Sequence, residues 1–302
     1  MLTIWQFLKS KLIRLYPVLL WITLLAFIAS IFGCFKFKLY ENILTLCGLS
    51  GTSLVIKFGN MDIFWYVSAM LWTFILFYYL LKNYDKKHVN LFIAVLVFFC
   101  YSFLIHAKGG KINNNTQTFY YIFNVGMMRA FGGIGVGYFI AEWYKNNINQ
   151  IKTYIVSFKQ KICLSILEFM CIFFIINNLI LHRPSFKNDF LYIVIFVITI
   201  LLFLIRQGYI SKWLENDFWL KLSKYTYSFY MTHLTIIDSL KGSLWKYNTD
   251  WVYAHPVSNI VLTLSLVFIL GIFTYHFIEK PATIYLSQKF DTKKYREHNE
   301  TK

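Results

Sequence analysis

Long, continuously apolar runs alternate along the chain with short polar segments that are mostly basic. The runs predict membrane spans at about 15–32, 63–81, 89–105, 119–144, 162–181, 190–205, 225–240 and 257–278. Only helices and closed barrels satisfy their backbone in hydrocarbon, and these runs are continuous rather than alternating, so helices are expected. Residues 34–62, 82–88, 106–118, 145–161, 182–189 and 206–224 read as loops, and everything from Glu279 onward reads as charged. The expected architecture is all-α: a polytopic integral membrane protein of about eight transmembrane helices. It forms one domain over 1–302, with 279–302 as a charged cytoplasmic tail and no linker or internal repeat.

Composition agrees with this pattern. The 302 residues are 58% hydrophobic and 15% charged, against roughly half and a quarter for soluble domains. The net charge of +16 would suit nucleic acid, but the lysines and arginines sit at the ends of apolar runs, where they set orientation and meet anionic headgroups. Of the 30 Lys and Arg, 20 lie in the N-terminus, every second loop and the tail, and nine in the alternate loops. Both termini are therefore expected in the cytoplasm, with the lipid bilayer as a partner and no nucleic acid. The five cysteines contain no CxxC pair and read as packing residues, not as metal ligands or a disulfide framework.

Three groups of polar residues stand out. Thr226, Tyr230 and His233 fall at i, i+4 and i+7 of the seventh run, placing two hydroxyls and an imidazole on one stripe. Such groups are costly among lipid tails, so the stripe is expected to face the interior, either as a site or as interhelical hydrogen bonds. Lys11 and Arg14, at the mouth of the first run, are either a positive-inside anchor or a clamp for an anionic cytosolic ligand. Arg129 lies inside the fourth run and calls for a carboxylate or a ligand, with Glu142 and Glu168 as candidate partners.

Several other signals have plainer readings. Gly132-Gly-Ile-Gly-Val-Gly137 imitates a phosphate loop without a preceding strand, so Gly133-x-x-x-Gly137 is expected to be a helix-packing face. Glu279 beside Lys280 reads as a local surface pair or a brace between cytoplasmic loops, with Pro281 as punctuation. Asp62-Ile-Phe-Trp65-Tyr66 reads as an interfacial aromatic belt, and Asn114-Asn-Thr116 matches the glycosylation pattern. His88, His106, His182 and His255 read as solvated loop histidines.

Four places, in order along nearly the whole chain, resemble the membrane-bound acyltransferase 3 family of mainly bacterial enzymes. Phe7-Leu-Lys-Ser-Lys11-Leu-Ile-Arg14-Leu-Tyr-Pro17 is similar to the basic F-x-x-x-R-x-x-R-x-Y-P entry to a span, with Lys11 in place of the first Arg. Phe64-Trp65-Tyr66-Val-Ser-Ala-Met70 is similar to L-W-Y-L-S-A. Leu222-Ser-Lys-Tyr-Thr226-Tyr227-Ser-Phe-Tyr230-Met-Thr-His233 is similar to L-G-K-x-S-Y-S-x-Y-L-x-H, with Thr226 keeping the hydroxyl of the usual Ser. Phe277-Ile-Glu279-Lys280-Pro281 is similar to the closing x-I-E-K-P.

The resemblance implies transfer of an acyl group, usually acetyl, from cytoplasmic acetyl-CoA or another acyl-CoA to a hydroxyl of an extracytoplasmic glycan or cell-envelope polysaccharide. The enzyme would be a multi-pass protein of the cell membrane, with the acyl-CoA as co-substrate and no permanently bound cofactor or metal. Lys11 and Arg14 would hold the CoA phosphates, and Thr226 and Tyr230 would position the acyl donor or line the site. In the family two further spans precede the basic entry, and the first carries an Arg and then a His taken to be catalytic. The chain is expected to lack them, through truncation, a misplaced start or degeneration, and so to be either inactive alone or dependent on another base. His233 would then orient groups from those helices, or serve as the base itself. A transporter or flippase, or a noncatalytic subunit handling surface polysaccharide, is the alternative. No repeat is seen, and only Gly132–Gly137 hints at a broken helix.

Overall fold

A computed structural model of the protein describes residues 3–34, 36–50, 64–108, 118–119, 123–153, 157–180, 189–248 and 254–290. The described chain is helical apart from a two-residue antiparallel pairing of β1 (Thr118–Phe119) with β2 (Phe123–Asn124). Helices cover most of each predicted span: α1 Ile4–Ile31, α3 Phe64–Asn83, α4 Lys86–Lys108, α5 Val125–Thr153, α6 Phe158–Ile180, α7 Asp189–Ile205, α10 Thr226–Gly242 and α12 Pro256–Thr274. The start of the span read at 119–144 is not helical, since Phe119 and Phe123 belong to the strand pairing and α5 begins at Val125. Five described segments are long and apolar enough to cross a membrane: Ile4–Ile31, Phe64–Asn83, Lys86–His106, Phe158–Asn177 and Pro256–Lys289. Phe190–Ile205 is apolar but shorter. Helix α5 is diluted by glycines and polar residues and α10 has only 17 residues, so the two helices carrying Arg129 and His233 are not among the five.

The chain forms two compact units. The first comprises Met1–Lys82 and Lys224–Lys302. Its helix α1 starts well before the predicted span, because Thr3 and Gln6 close a capping box. The Thr3 hydroxyl accepts from the Gln6 N–H at 3.2 Å, and the Gln6 side chain accepts from the Thr3 N–H at 2.8 Å. Lys9, Lys11 and Arg14 are therefore helical. The inward stripe of α1, Leu15, Val18, Leu19, Ile22 and Ala26, meets Phe64, Val67 and Leu71 of α3 and Met231 of α10. That spacing is the helical repeat of one packed face.

The second unit is Asn83–Ser223. Helices α4 and α5 pack along their length through Cys100, Leu104, Val125 and Met128. Helix α6 turns Ile166, Phe169, Met170 and Phe173 outward, as a lipid-facing surface requires. Cys100 and Cys171 are buried free thiols that pack, whereas Cys47 and Cys163 are exposed.

Four further details differ from the sequence reading. The segment 34–62 is not all loop: Leu39–Leu46 is helix α2, stabilised at its start by the Lys38–Glu41 pair and tied to α1 by the Tyr16 hydroxyl, which donates to the Leu46 carbonyl at 2.6 Å. The loop 206–224 contains two short helices, α8 (Tyr209–Trp213) and α9 (Asp217–Ser223), and the four-residue helix α11 (Leu244–Tyr247) follows α10. The last span does not end at 278. It continues through a π-helical turn, Tyr275–Glu279, into α13, Lys280–Lys289. Pro281 has no N–H for the Phe277 carbonyl and its ring crowds that carbonyl, so the turn widens instead of breaking. Finally, the close glycine contact of α5 is made by Gly132, where a Cβ would press on the Tyr101 ring at 3.0 Å, not by Gly133 or Gly137, which have space. All the glycines of this run lie inside a helix, so no phosphate loop forms. Asp62, Asn114–Thr116 and His182 lie outside the described residues.

Without a hydrophobic force between helices in lipid, close packing at small residues holds such units together. At Gly271 of α12 a Cβ would fall on the Phe229 ring of α10. Gly271→Leu should lower the thermal unfolding midpoint in detergent by several degrees, corresponding to about 1–3 kcal/mol of overpacking. Adding Phe229→Ala should recover part of that loss.

Candidate functional site

Helix α10 presents two different polar faces. Thr226, Tyr230 and His233 share one stripe, as their spacing requires. Thr226 is exposed in the first turn, while Tyr230 and His233 are half-buried. Tyr66 of α3 meets the Tyr230 ring edge-on with centroids 6.2 Å apart, and the Tyr230 and His233 rings are 5.7 Å apart. The His233 Nδ1 lies 2.6 Å from the Tyr230 carbonyl oxygen. A carbonyl only accepts, so Nδ1 carries the hydrogen, and in the neutral ring Nε2 holds the basic lone pair.

The other face of α10 is more deeply buried. Ser228 and Thr232 are fully buried. Thr232 returns its hydroxyl hydrogen to the Ser228 carbonyl at 2.9 Å, the usual way a hydroxyl is satisfied inside an apolar helix. Ser228 donates at 2.7 Å to Oε2 of Glu279. The other carboxylate oxygen, Oε1, lies 4.0 Å from Nε of Arg14. Next to Ser228, the Tyr227 hydroxyl donates to the Leu15 carbonyl of α1 at 2.9 Å. Trp21 of α1 donates to the Thr274 hydroxyl at 3.2 Å. Helices α1, α10 and the end of the last span are thus joined by polar contacts along about two turns of α1.

Glu279 is therefore neither a surface pair with Lys280 nor part of an exposed tail. Its side chain is 5% exposed and turned into the unit. The widened turn accounts for this: the extra residue per turn shifts the face that the following side chains present. Lys11 and Arg14 share α1 but meet different groups. The Lys11 ammonium is 5.4 Å from the Phe7 ring centroid and 5.6 Å from that of Phe74, whereas Arg14 reaches Glu279. Lys9 sits over Phe290 at 4.3 Å. The end of α1 is a cluster of cations held by aromatic rings and one carboxylate.

In the other unit, Arg129 is half-buried on α5, close enough to Tyr101 to act on it electrostatically. The two carboxylates weighed as its partners are both engaged elsewhere. Glu142 pairs with Lys86. Glu168, 1% exposed, accepts the N–H groups of Ile210 at 3.2 Å and Ser211 at 3.3 Å. Its carboxylate so caps α8, and Gly208 gives it room, since a Cβ there would collide with it.

Described residues line at least two grooves. One of about 640 Å³ lies between α1, α10 and α12, lined by Leu25, Ile28, Thr235, Ser239 and Phe273 among others. The other, about 510 Å³, is lined by residues including Trp143, Asn147, Gln160, Cys163 and Gln207. None of Lys11, Arg14, Arg129, Thr226, Tyr230 or His233 lines either groove. Ser228, Tyr227 and the inward role of Glu279 are what sequence reasoning missed. The row Ser228, Thr232, Thr235 and Ser239 repeats at helical spacing and was a second stripe open to view.

An all-α protein with several helices able to cross a membrane, and buried ionisable groups joining them, is an integral membrane protein with an internal polar site. The family model described as an acyltransferase domain, type 3, matches residues 2–276. The chain belongs to that family and is at that level a membrane acyltransferase. No curated protein and no solved structure matches it.

The Glu168 cap yields a direct check. Both N–H groups are accepted by the one oxygen Oε2, so Glu168→Leu, which removes it, should quicken amide exchange at Ile210 and Ser211 by about tenfold. Mass-spectrometric exchange on the purified protein measures it, and unchanged protection there would remove the capping role.

Proposed function

We propose that the chain transfers an acetyl group from cytoplasmic acetyl-CoA to a hydroxyl of an extracytoplasmic glycan or cell-envelope polysaccharide. In this reading both termini face the cytoplasm, and the basic end of α1 meets the donor. Lys11 and Arg14 hold the phosphates of the polyanionic CoA. Thr226 and Tyr230 position the thioester on α10. The observation that carries the reading is the His233 ring, with Nδ1–H tied to the Tyr230 carbonyl and Nε2 as its basic nitrogen. An alcohol is a poor nucleophile at neutral pH and needs such a base within hydrogen-bond reach.

The step balances without a redox partner. The acceptor oxygen attacks the thioester carbonyl carbon while its proton passes to His233 Nε2. The C–O ester bond forms, the C–S bond breaks, and the proton then passes to the CoA thiolate. A fixed tautomer means that no ring reorientation is required before the proton moves.

The test uses inverted membrane vesicles from cells producing the chain, supplied with radiolabelled acetyl-CoA. Label should enter the glycan fraction as a base-labile ester. His233→Ala should reduce the rate about 100-fold or more, with KM for acetyl-CoA within about threefold. Lys11→Gln should raise that KM with little change in kcat, as loss of a ground-state phosphate contact does. Equal rates in wild type and His233→Ala would remove the base assignment, and glycan flux without ester formation would put a transporter in the enzyme's place.

A further inference from the structure

The arrangement of Glu279, Ser228 and Arg14 goes further than a brace between helices. Arg14 is 65% exposed at its side chain, whereas Glu279 is 5% exposed. The carboxylate is the fixed member of the pair: Ser228, itself fully buried, donates to one oxygen at 2.7 Å, and the π turn holds its backbone. The guanidinium is approached from behind, through its inner nitrogen Nε, at 4.0 Å. The contact with Glu279 is made through Nε and so does not use Nη1 and Nη2, the edge that grips a phosphate in bidentate fashion. The helix around Arg14 is fixed as well, since its neighbour Leu15 is buried and accepts from the Tyr227 hydroxyl.

A long arginine on a helix surface loses the freedom of several rotatable bonds when it binds a phosphate. A buried carboxylate behind it removes part of that cost in advance. We infer that Glu279 is a positioning residue for the donor site: with Ser228 as its own anchor, it orients Arg14 so that the outer guanidinium edge meets a phosphate of acetyl-CoA. The inference rests on the proposed donor role of Arg14 and assigns the IEKP segment to donor affinity, not to the chemical step.

Glu279→Gln is nearly isosteric and still accepts from Ser228, but removes the charge that holds Arg14. In the vesicle assay it should raise KM for acetyl-CoA about five- to tenfold with kcat within about twofold. Radiolabelled acetyl-CoA binding should weaken by the same factor. Arg14→Gln should give an equal or larger loss, and the double variant should be no worse than Arg14→Gln alone, because both act through one contact. Ser228→Ala, which loosens the carboxylate without altering charge, should give a smaller rise in KM, and Glu279→Asp a partial return towards wild type. Losses that add in the double variant, or a fall in kcat at unchanged KM, would overturn the inference. Undiminished binding in Glu279→Gln overturns it while leaving Arg14 as donor cation. A wild-type chain that binds no acetyl-CoA overturns both.

Discussion

A polar group that leaves water inside this protein is costly unless it finds a partner within the protein, and much of the structure follows from that requirement. The backbone meets it by forming helices throughout the apolar runs. Side-chain hydroxyls meet it by returning to the preceding turn, as Thr73 does to Ala69, Thr199 to Ile195 and Thr232 to Ser228. Carboxylates cannot donate when ionised and so need N–H or O–H groups brought to them. That is a stronger demand, and Glu168 and Glu279, the two buried carboxylates among the described residues, each organise a local structure.

The two solutions differ in a way that bears on function. Glu168 is met by backbone N–H groups at the start of α8, a fully internal arrangement that fixes the connection after α7 and leaves the carboxylate no outward task. Glu279 is met by one buried hydroxyl and one arginine whose side chain is mostly outside. The second arrangement links the interior to a surface cation. It also explains the π turn: the widening forced by Pro281 is retained where the helix must carry a carboxylate inward and still continue as α13.

Helix α10 is the point at which these requirements meet. Its buried face supplies the hydroxyl that holds Glu279, the neighbouring Tyr227 fixes Leu15, and a separate stripe carries Tyr230 and His233. The cation cluster of α1 and the imidazole of α10 are therefore held in the same unit by the same helix contacts. Close approach to α12 depends on Gly271 lying under Phe229, so packing and polar contact act on α10 together.

The all-α architecture, the existence of each long helix, the cationic end of α1 and the stripe of Thr226, Tyr230 and His233 were all legible in the sequence. Each is a one-dimensional consequence of apolar run length, charge placement or helical repeat. Helix α2 was hidden because eight amphipathic residues inside a polar segment leave only a weak periodic signal, and its contacts with α1 are tertiary. The partners of Glu142, Glu168 and Arg14 were not legible either, since a charge count says that a partner is needed and not which residue supplies it. Glu279 is the sharpest instance. Its neighbours in sequence, Lys280 and Pro281, read as a helix end at the surface, and only a turn widened by that proline, packed against Ser228 and the start of α1, brings the carboxylate inside. Hydrophobic period fixes which stretches are buried as helices. The direction in which one residue points where that period is broken is decided by what the other helices bring to meet it.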